Sequence, residues 1–296
     1  MLVLLPPSES KAAPARRGRG LDLDGLSFPE LTDLRKRVLE ALGETSGRPD
    51  ALSLLGVGPS LAQEVARNLT LRTAPTRPAH AVYTGVLYDA LGWPTLSPAA
   101  RRRGGSRIVI ISALWGALRP NDRVPSYRLS MDGELPGLGP LARLWRPELT
   151  PVLTAAAGRR GLVVDCRSGP YTAAGPLTGT SPTRTLPTRT SPTGTSPTRT
   201  SPTRTSPNRA TDPGPAVAGR TVAIRVLREQ HGRRSVVSHL AKHTRGQVTR
   251  HLLEQEADPA TPAALAEVVG LRWPVELVAP ARPGAGWALD VILHED

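Results

Sequence analysis

Residues 107–122 read RIVIISALWGALRPND, and the placement of their first five decides the fold. The run 107–111 (RIVII) is continuous, β-branched and of strand length, and the glycine and proline that follow it force turns. Two similar runs flank it in the chain. Residues 2–5 (LVLL) read as a buried strand, and residues 161–165 (GLVVD) as another.

Between these strands the spacing turns helical. Residues 29–42 (PELTDLRKRVLEAL) place Leu31, Leu34, Val38, Leu39 and Leu42 on one face. Residues 50–55 and 60–69 predict two helical arms around a glycine pair, and residues 81–91, 138–144 and 148–157 predict further helices. Residues 221–227 and 234–238 read as a hairpin with REQHGR at its turn. A basic helix over 239–254, a short helix over 261–269 and closing strands at 275–278 and 287–292 complete the pattern. This mixture suits α+β or α/β. We read it as α+β, a single mixed α/β domain over 1–177 and 214–296.

The excluded stretch, 178–213, is dominated by a five-residue tandem: TSPTR, TLPTR, TSPTG, TSPTR, TSPTR, TSPNR. A proline in every unit blocks helices and central strands, and little in it can be buried. A disordered insert is expected. It carries five arginines and Asp212, a net of +4, so 13 − 4 leaves +9 on the remainder.

Composition narrows the class. The 296 residues are 39% hydrophobic but only 3% aromatic, with Phe28 the single phenylalanine, so the core is built of Leu, Val, Ala and Ile. The net charge is +13 and almost wholly arginine; the three lysines are Lys11, Lys36 and Lys242. Such a charge favours polyanionic partners such as nucleic acid or an anionic membrane, although a GC-rich coding sequence yields the same bias. The one cysteine, Cys166, excludes an internal disulfide and a multi-cysteine zinc site. No apolar run approaches the roughly 20 residues of a membrane span, and MLVLLPPSESK lacks the basic start of a signal peptide. A cytoplasmic protein without membrane attachment is expected.

Several stretches carry candidate chemistry. In LLGVGPSLAQEVARN (54–68), Gly56, Val57 and Gly58 form a turn, and Pro59 and Ser60 open a second helix. Glycine there permits close approach to a phosphate, and the helix start adds partial positive charge. The same turn serves equally well as a plain structural joint. SESK (8–11) mimics a Ser-x-x-Lys pair, but two preceding prolines and the absence of a Lys-Thr-Gly partner argue against serine chemistry. It reads better as a polar loop at a strand's carboxyl end, where anion and substrate sites gather. In 115–131, Arg119, Arg123, Tyr127 and Arg128 can converge on an anion or remain a solvated loop. In 238–253, Lys242, Arg245, Thr249 and His239 share a helical face, a footprint for a phosphate backbone. His239, His243 and His251 lack the other ligands of a metal site. Cys166, beside Arg167, is either a reactive thiol or a small buried hydrophobe.

These blocks in this order resemble the YaaA peroxide stress resistance family: LVLLPPSESK, YTGVLYDAL (83–91), ISALWGALRPNDRVPSYRLSM (111–131), VVDCRSGPY (163–171) and VVSHLAKHTRGQVTRHLL (236–253). The resemblance spans the chain apart from the insert. It departs from the family where SPAKT is common and PPSESK stands here. It implies a helix-hairpin-helix-like element on the Gly56–Ala62 turn and a basic cleft gathering Lys11, Arg119, Arg128, Lys242 and Arg245, with Tyr127 as a stacking or hydrogen-bonding partner. It further implies double-stranded DNA as partner, bound at the backbone without base specificity, and a role in limiting iron-driven damage under peroxide. No cofactor, metal, membrane or protein partner is expected. The leading reading is a binding protein. Its rivals are an enzyme acting on nucleic acid or a phosphorylated substrate, lyase-like, with Lys11 or Lys242 as nucleophile, and an iron-handling protein using His239, His243, His251 or Cys166.

Overall fold

The computed structural model describes residues 1–177, 217–230, 233–236, 238–256 and 258–294. The insert expected at 178–213 and part of the 228–233 turn lie outside them. In chain order the principal elements are β1 (Leu2–Leu5), α1 (Thr32–Ser46), α2 (Ala51–Leu54), α3 (Ala62–Arg67), α4 (Val86–Leu91), α5 (Pro98–Arg107), β2 (Ile108–Ser112) and β3 (Gly116–Leu118). They continue with α6 (Leu141–Ala157), β4 (Val163–Asp165), β5 (Thr221–Gln230), β6 (Arg233–Val236), α7 (Ser238–Glu254), α8 (Pro262–Gly270), β7 (Val275–Val278) and β8 (Trp287–His294).

Eight of the described strands form one sheet in the order β7-β8-β5-β4-β1-β2-β3, with β6 pairing β5 off that path. The five central strands, β8, β5, β4, β1 and β2, run parallel, while β7, β6 and β3 pair antiparallel. The architecture is therefore a mixed α/β fold around one principal sheet, in keeping with the mixed α/β expectation. Its parallel centre was visible in the strands themselves. β1 and β2 are buried at every position, as parallel strands covered on both faces must be, so their sequences are unbroken apolar runs.

Strand β1 lies between β2 and β4, with Val3 opposite Ile108 of β2 on one side and Val164 of β4 on the other. The chain leaves β1 toward β2 and β3, then returns to the other flank for β4 and β5. The crevice between β1 and β4 is thus a topological switch point, where open α/β sheets gather ligands beyond their strands' carboxyl ends.

The helices depart from expectation in instructive places. The helix expected over 81–91 is broken into a turn at Ala79–Val82 and α4, because Gly85 adopts φ 92° between them. The two helices expected at 138–144 and 148–157 are one, α6, which runs through Pro147 and Pro151. Its buried face of Trp145, Leu149, Val152 and Leu153, with the indole Trp145 Nε1 donating to Ala113 O at 2.8 Å, outweighs the lost backbone hydrogen bonds. Helix α5 was not anticipated; Ser97 caps it by accepting from the Ala100 N–H at 3.1 Å, with Pro98 in its first turn.

Candidate functional site

Three adjoining hollows follow the carboxyl edge of the sheet. The largest, about 230 Å³, lies over the switch point, between the loop leaving β1 (Pro6 to Ser10) and Ser168 and Tyr171 beyond β4; Lys242 and Arg245 of α7 close it. A second shares Ser8, Glu9 and Tyr171 with it and adds Lys11, Arg128 and Ser130. A third shares Lys11 and is walled by Glu64 and Arg67 of α3 with Ser126 and Tyr127. Their linings together hold five basic side chains, Lys11, Arg67, Arg128, Lys242 and Arg245, against two carboxylates, Glu9 and Glu64.

Lys11 occupies the centre. Its loop is pinned to the segment before α4: the Ala12 N–H donates to Val82 O at 2.8 Å, and the Thr84 N–H donates to Ser8 Oγ at 3.0 Å. Nζ donates to Ser8 O at 3.1 Å and lies 4.3 Å from the centroid of the Tyr127 ring. Among the described residues it pairs with no carboxylate. Burial, reinforced by the Arg128 guanidinium, brings the Lys11 ammonium down to about 7, although Glu64 and Glu9 pull the other way. Arg128 is held by Glu9 at 3.4 Å and Glu64 at 3.9 Å.

Beneath Lys11 runs a chain of hydroxyls. Tyr127 Oη lies 2.7 Å from Ser112 Oγ and 3.1 Å from Tyr83 Oη, and Ser112 Oγ accepts from the Leu114 and Trp115 N–H groups. Burial pushes the Tyr83 and Tyr127 phenols up, so both stay neutral. Tyr88 donates to Pro6 O at 2.7 Å and fixes the loop from the other side.

The glycine turn stands in solvent at the far end. Gly56 sits at φ 61° in the left-handed region and Gly58 is extended; Gly56, Gly58 and Ser60 are exposed and Val57 is half-buried. The arms are shorter than expected: four residues in α2, then a single 3₁₀ turn leading into the six of α3. Val65 anchors α3 in the core, which directs Glu64 and Arg67 to the third hollow. Asn68 ties this arm to Arg128, donating to its carbonyl at 2.9 Å and accepting from its N–H at 2.9 Å.

The expected constellation is therefore brought together only in part. Lys11, Arg128, Lys242 and Arg245 line these adjoining hollows, and α3 follows the glycine turn in the chain. Arg119 does not join them: it donates to Ser106 O and Ile108 O and its guanidinium lies 5.2 Å from the Phe28 ring centroid. Tyr127 is buried beneath Lys11 and offers no open face for stacking. On α7 the shared face divides: Lys242 is exposed, Arg245 reaches inward to Ile224 O at 3.0 Å, and Thr249 is wholly buried. The His239 side chain lies outside the described residues. His243 is exposed, whereas His251 is buried against Val268 O and Trp273, so the two do not converge. Cys166 is buried and its thiol pushed up to about 12, which makes it inert. Glu64, Arg67, Thr84, Ser112 and Tyr171 were not singled out from sequence. No local pattern marks them, because they come from α3, the segment before α4, the end of β2 and the turn after β4.

The family described as peroxide stress protein YaaA matches residues 1–185. A UPF0246 protein of Streptomyces coelicolor is 42% identical over 100% of this chain and 99% of its own length. Relatives in Corynebacterium efficiens (37% identical; 90% of this chain, 91% of theirs) and Corynebacterium glutamicum strain R (33%; 92% and 94%) carry the same UPF0246 description. On this match and these identities, the chain belongs to the peroxide stress protein YaaA family.

Proposed function

We propose that the protein binds duplex DNA along a groove formed by these hollows, holding phosphates without reading bases, and that this shields the genome from iron-driven damage during peroxide stress in the cytoplasm. The supporting observation is continuity. The exposed Gly56–Gly58 turn passes into α3, whose Arg67 walls the same hollow as Lys11, and the groove continues past Arg128 to Lys242 and Arg245. A turn that can admit a phosphate and a line of cations beyond it suit a backbone that carries one charge at each step. Glu9 and Glu64 partner Arg128 and leave a surplus of positive charge in the groove.

Fluorescence anisotropy of a labelled duplex across a salt series tests this. The double variant Gly56→Glu/Gly58→Glu places two carboxylates at the turn and is expected to weaken binding at least tenfold. Lys242→Ala/Arg245→Ala removes up to two phosphate contacts and should flatten the slope of log K against log salt by up to about 1.8. If both variants bind like the wild type, this groove is not a DNA site.

A further inference from the structure

We infer that Lys11 is an amine nucleophile toward aldehyde-bearing DNA, the ring-opened sugar of an abasic site being the substrate, and that Glu64 is the base that completes strand elimination. The inference rests on the DNA-binding reading of the groove and names what that site acts upon.

The geometry sets Lys11 apart from the other two lysines. Lys36 is exposed beside Asp33, and Lys242 is exposed at the groove's end. Lys11 is folded back instead: it lies against the Tyr127 ring, donates to two backbone carbonyls of its own loop, and lines two small hollows of about 10 Å³ each. A lysine with a purely structural role usually carries its ammonium to solvent or to a carboxylate. Every charged group facing it bears on its protonation. Arg128 and burial favour the free amine, Glu9 and Glu64 favour the ammonium, and the Tyr83 and Tyr127 phenols stay neutral. With the ammonium titrating at about 7, roughly half of the molecules carry a free amine at neutral pH, against ~1 in 3,000 for an ordinary lysine.

The step balances without a further reagent. The amine nitrogen adds to the aldehyde carbon and forms the C–N bond; the carbonyl oxygen takes up two protons and leaves as water, giving an imine. The protonated imine acidifies the neighbouring C–H. Glu64, in the same hollow as Lys11, takes that proton, and the electron pair forms a carbon–carbon double bond as the C3′–O bond breaks. The departing phosphate leaves beside Arg128, which Glu64 already touches.

The test uses the full chain with a duplex carrying one abasic site and an intact duplex of the same sequence, each with and without sodium borohydride. The expected result is a covalent adduct on the abasic duplex alone, mapped by peptide mass spectrometry to Lys11 and absent in Lys11→Ala. Glu64→Gln should keep the adduct and slow strand nicking by about 10²-fold or more. Mapping on the wild type keeps the test independent of how well Lys11→Ala folds. Binding of both duplexes by anisotropy without an adduct, or an adduct on Lys36 or Lys242, overturns the inference and leaves the DNA reading standing. Binding of neither duplex overturns both.

Discussion

At the scale of single residues, Lys11 governs a measurable part of stability. Its amine titrates at about 7 in the fold against the usual 10.5, chiefly through burial. The sign of the linkage follows. Between pH 7 and 10.5 the unfolded chain binds more protons at this site than the folded one, so the site's contribution to stability rises with pH over that window. Well below pH 7 both states hold the proton, and the fold bears the full cost of enclosing the charge. Lys11→Met keeps the length of the side chain and removes the charge. It is expected to melt above the wild type at pH 6 to 7, with the gap closing as pH approaches 10. Thermal denaturation followed by circular dichroism at several pH values checks this; a gap that does not change with pH would place the ammonium in solvent. The same residue shows how far sequence reading reaches. Ser8–Lys11 was legible as a polar loop at a strand's carboxyl end, because LVLL and the two prolines fixed where the strand stops. That Tyr127 lies under Nζ was not legible, since 116 positions separate the two residues.

At the scale of elements, close approach between helices decides what each position tolerates. Gly246 of α7 faces the backbone of α4, and an added Cβ would run into Leu87 O and Ala90 Cβ. Gly58, by contrast, has open space around it, and Gly56 has space but a left-handed φ of 61°. Gly246→Ala should therefore destabilise by about 1–3 kcal/mol as overpacking, Gly56→Ala by about 1–2 kcal/mol through backbone strain, and Gly58→Ala by almost nothing. Urea denaturation, with m-values compared, separates the three; equal effects would mean that helix packing does not set the order. Sequence periodicity located most strands and helices because each has one strongly apolar face or run. It failed where a local signal was outweighed. The prolines of α6 argued for a break that the burial of Trp145 and Leu149 overrides. The polar, arginine-rich surface of α5 hid a helix whose buried residues are only Ala100 and Gly104.

At the scale of the whole molecule, the hollows gather where they do because the strand order reverses at β1. Residues from the β1 loop, α3, the segment before α4, the Tyr127 region, the turn after β4 and α7 meet there, although no two of these neighbour one another along the chain. Six separate elements meeting at one crevice cannot be read from spacing, even though the three central strands that create the crevice could. The same arrangement limits what the groove can read. Helix α7 supplies Lys242 and Arg245 but has Val248, Thr249, Leu252 and Leu253 buried, so it cannot leave the body to enter a major groove. Phosphate contacts from a fixed line of cations carry no sequence information. If the protein binds DNA as proposed, duplexes of equal length and opposite base composition are therefore expected to bind within about twofold of each other. The slope of log K against log salt should lie between about −2.7 and −4.5, the values for three to five neutralised phosphates. Titrations of AT-rich and GC-rich duplexes from low to moderate salt measure both quantities. A tenfold preference for one composition would show that a side chain reaches a base edge, and a flat salt dependence would show that the arginines of this groove face no phosphates at all.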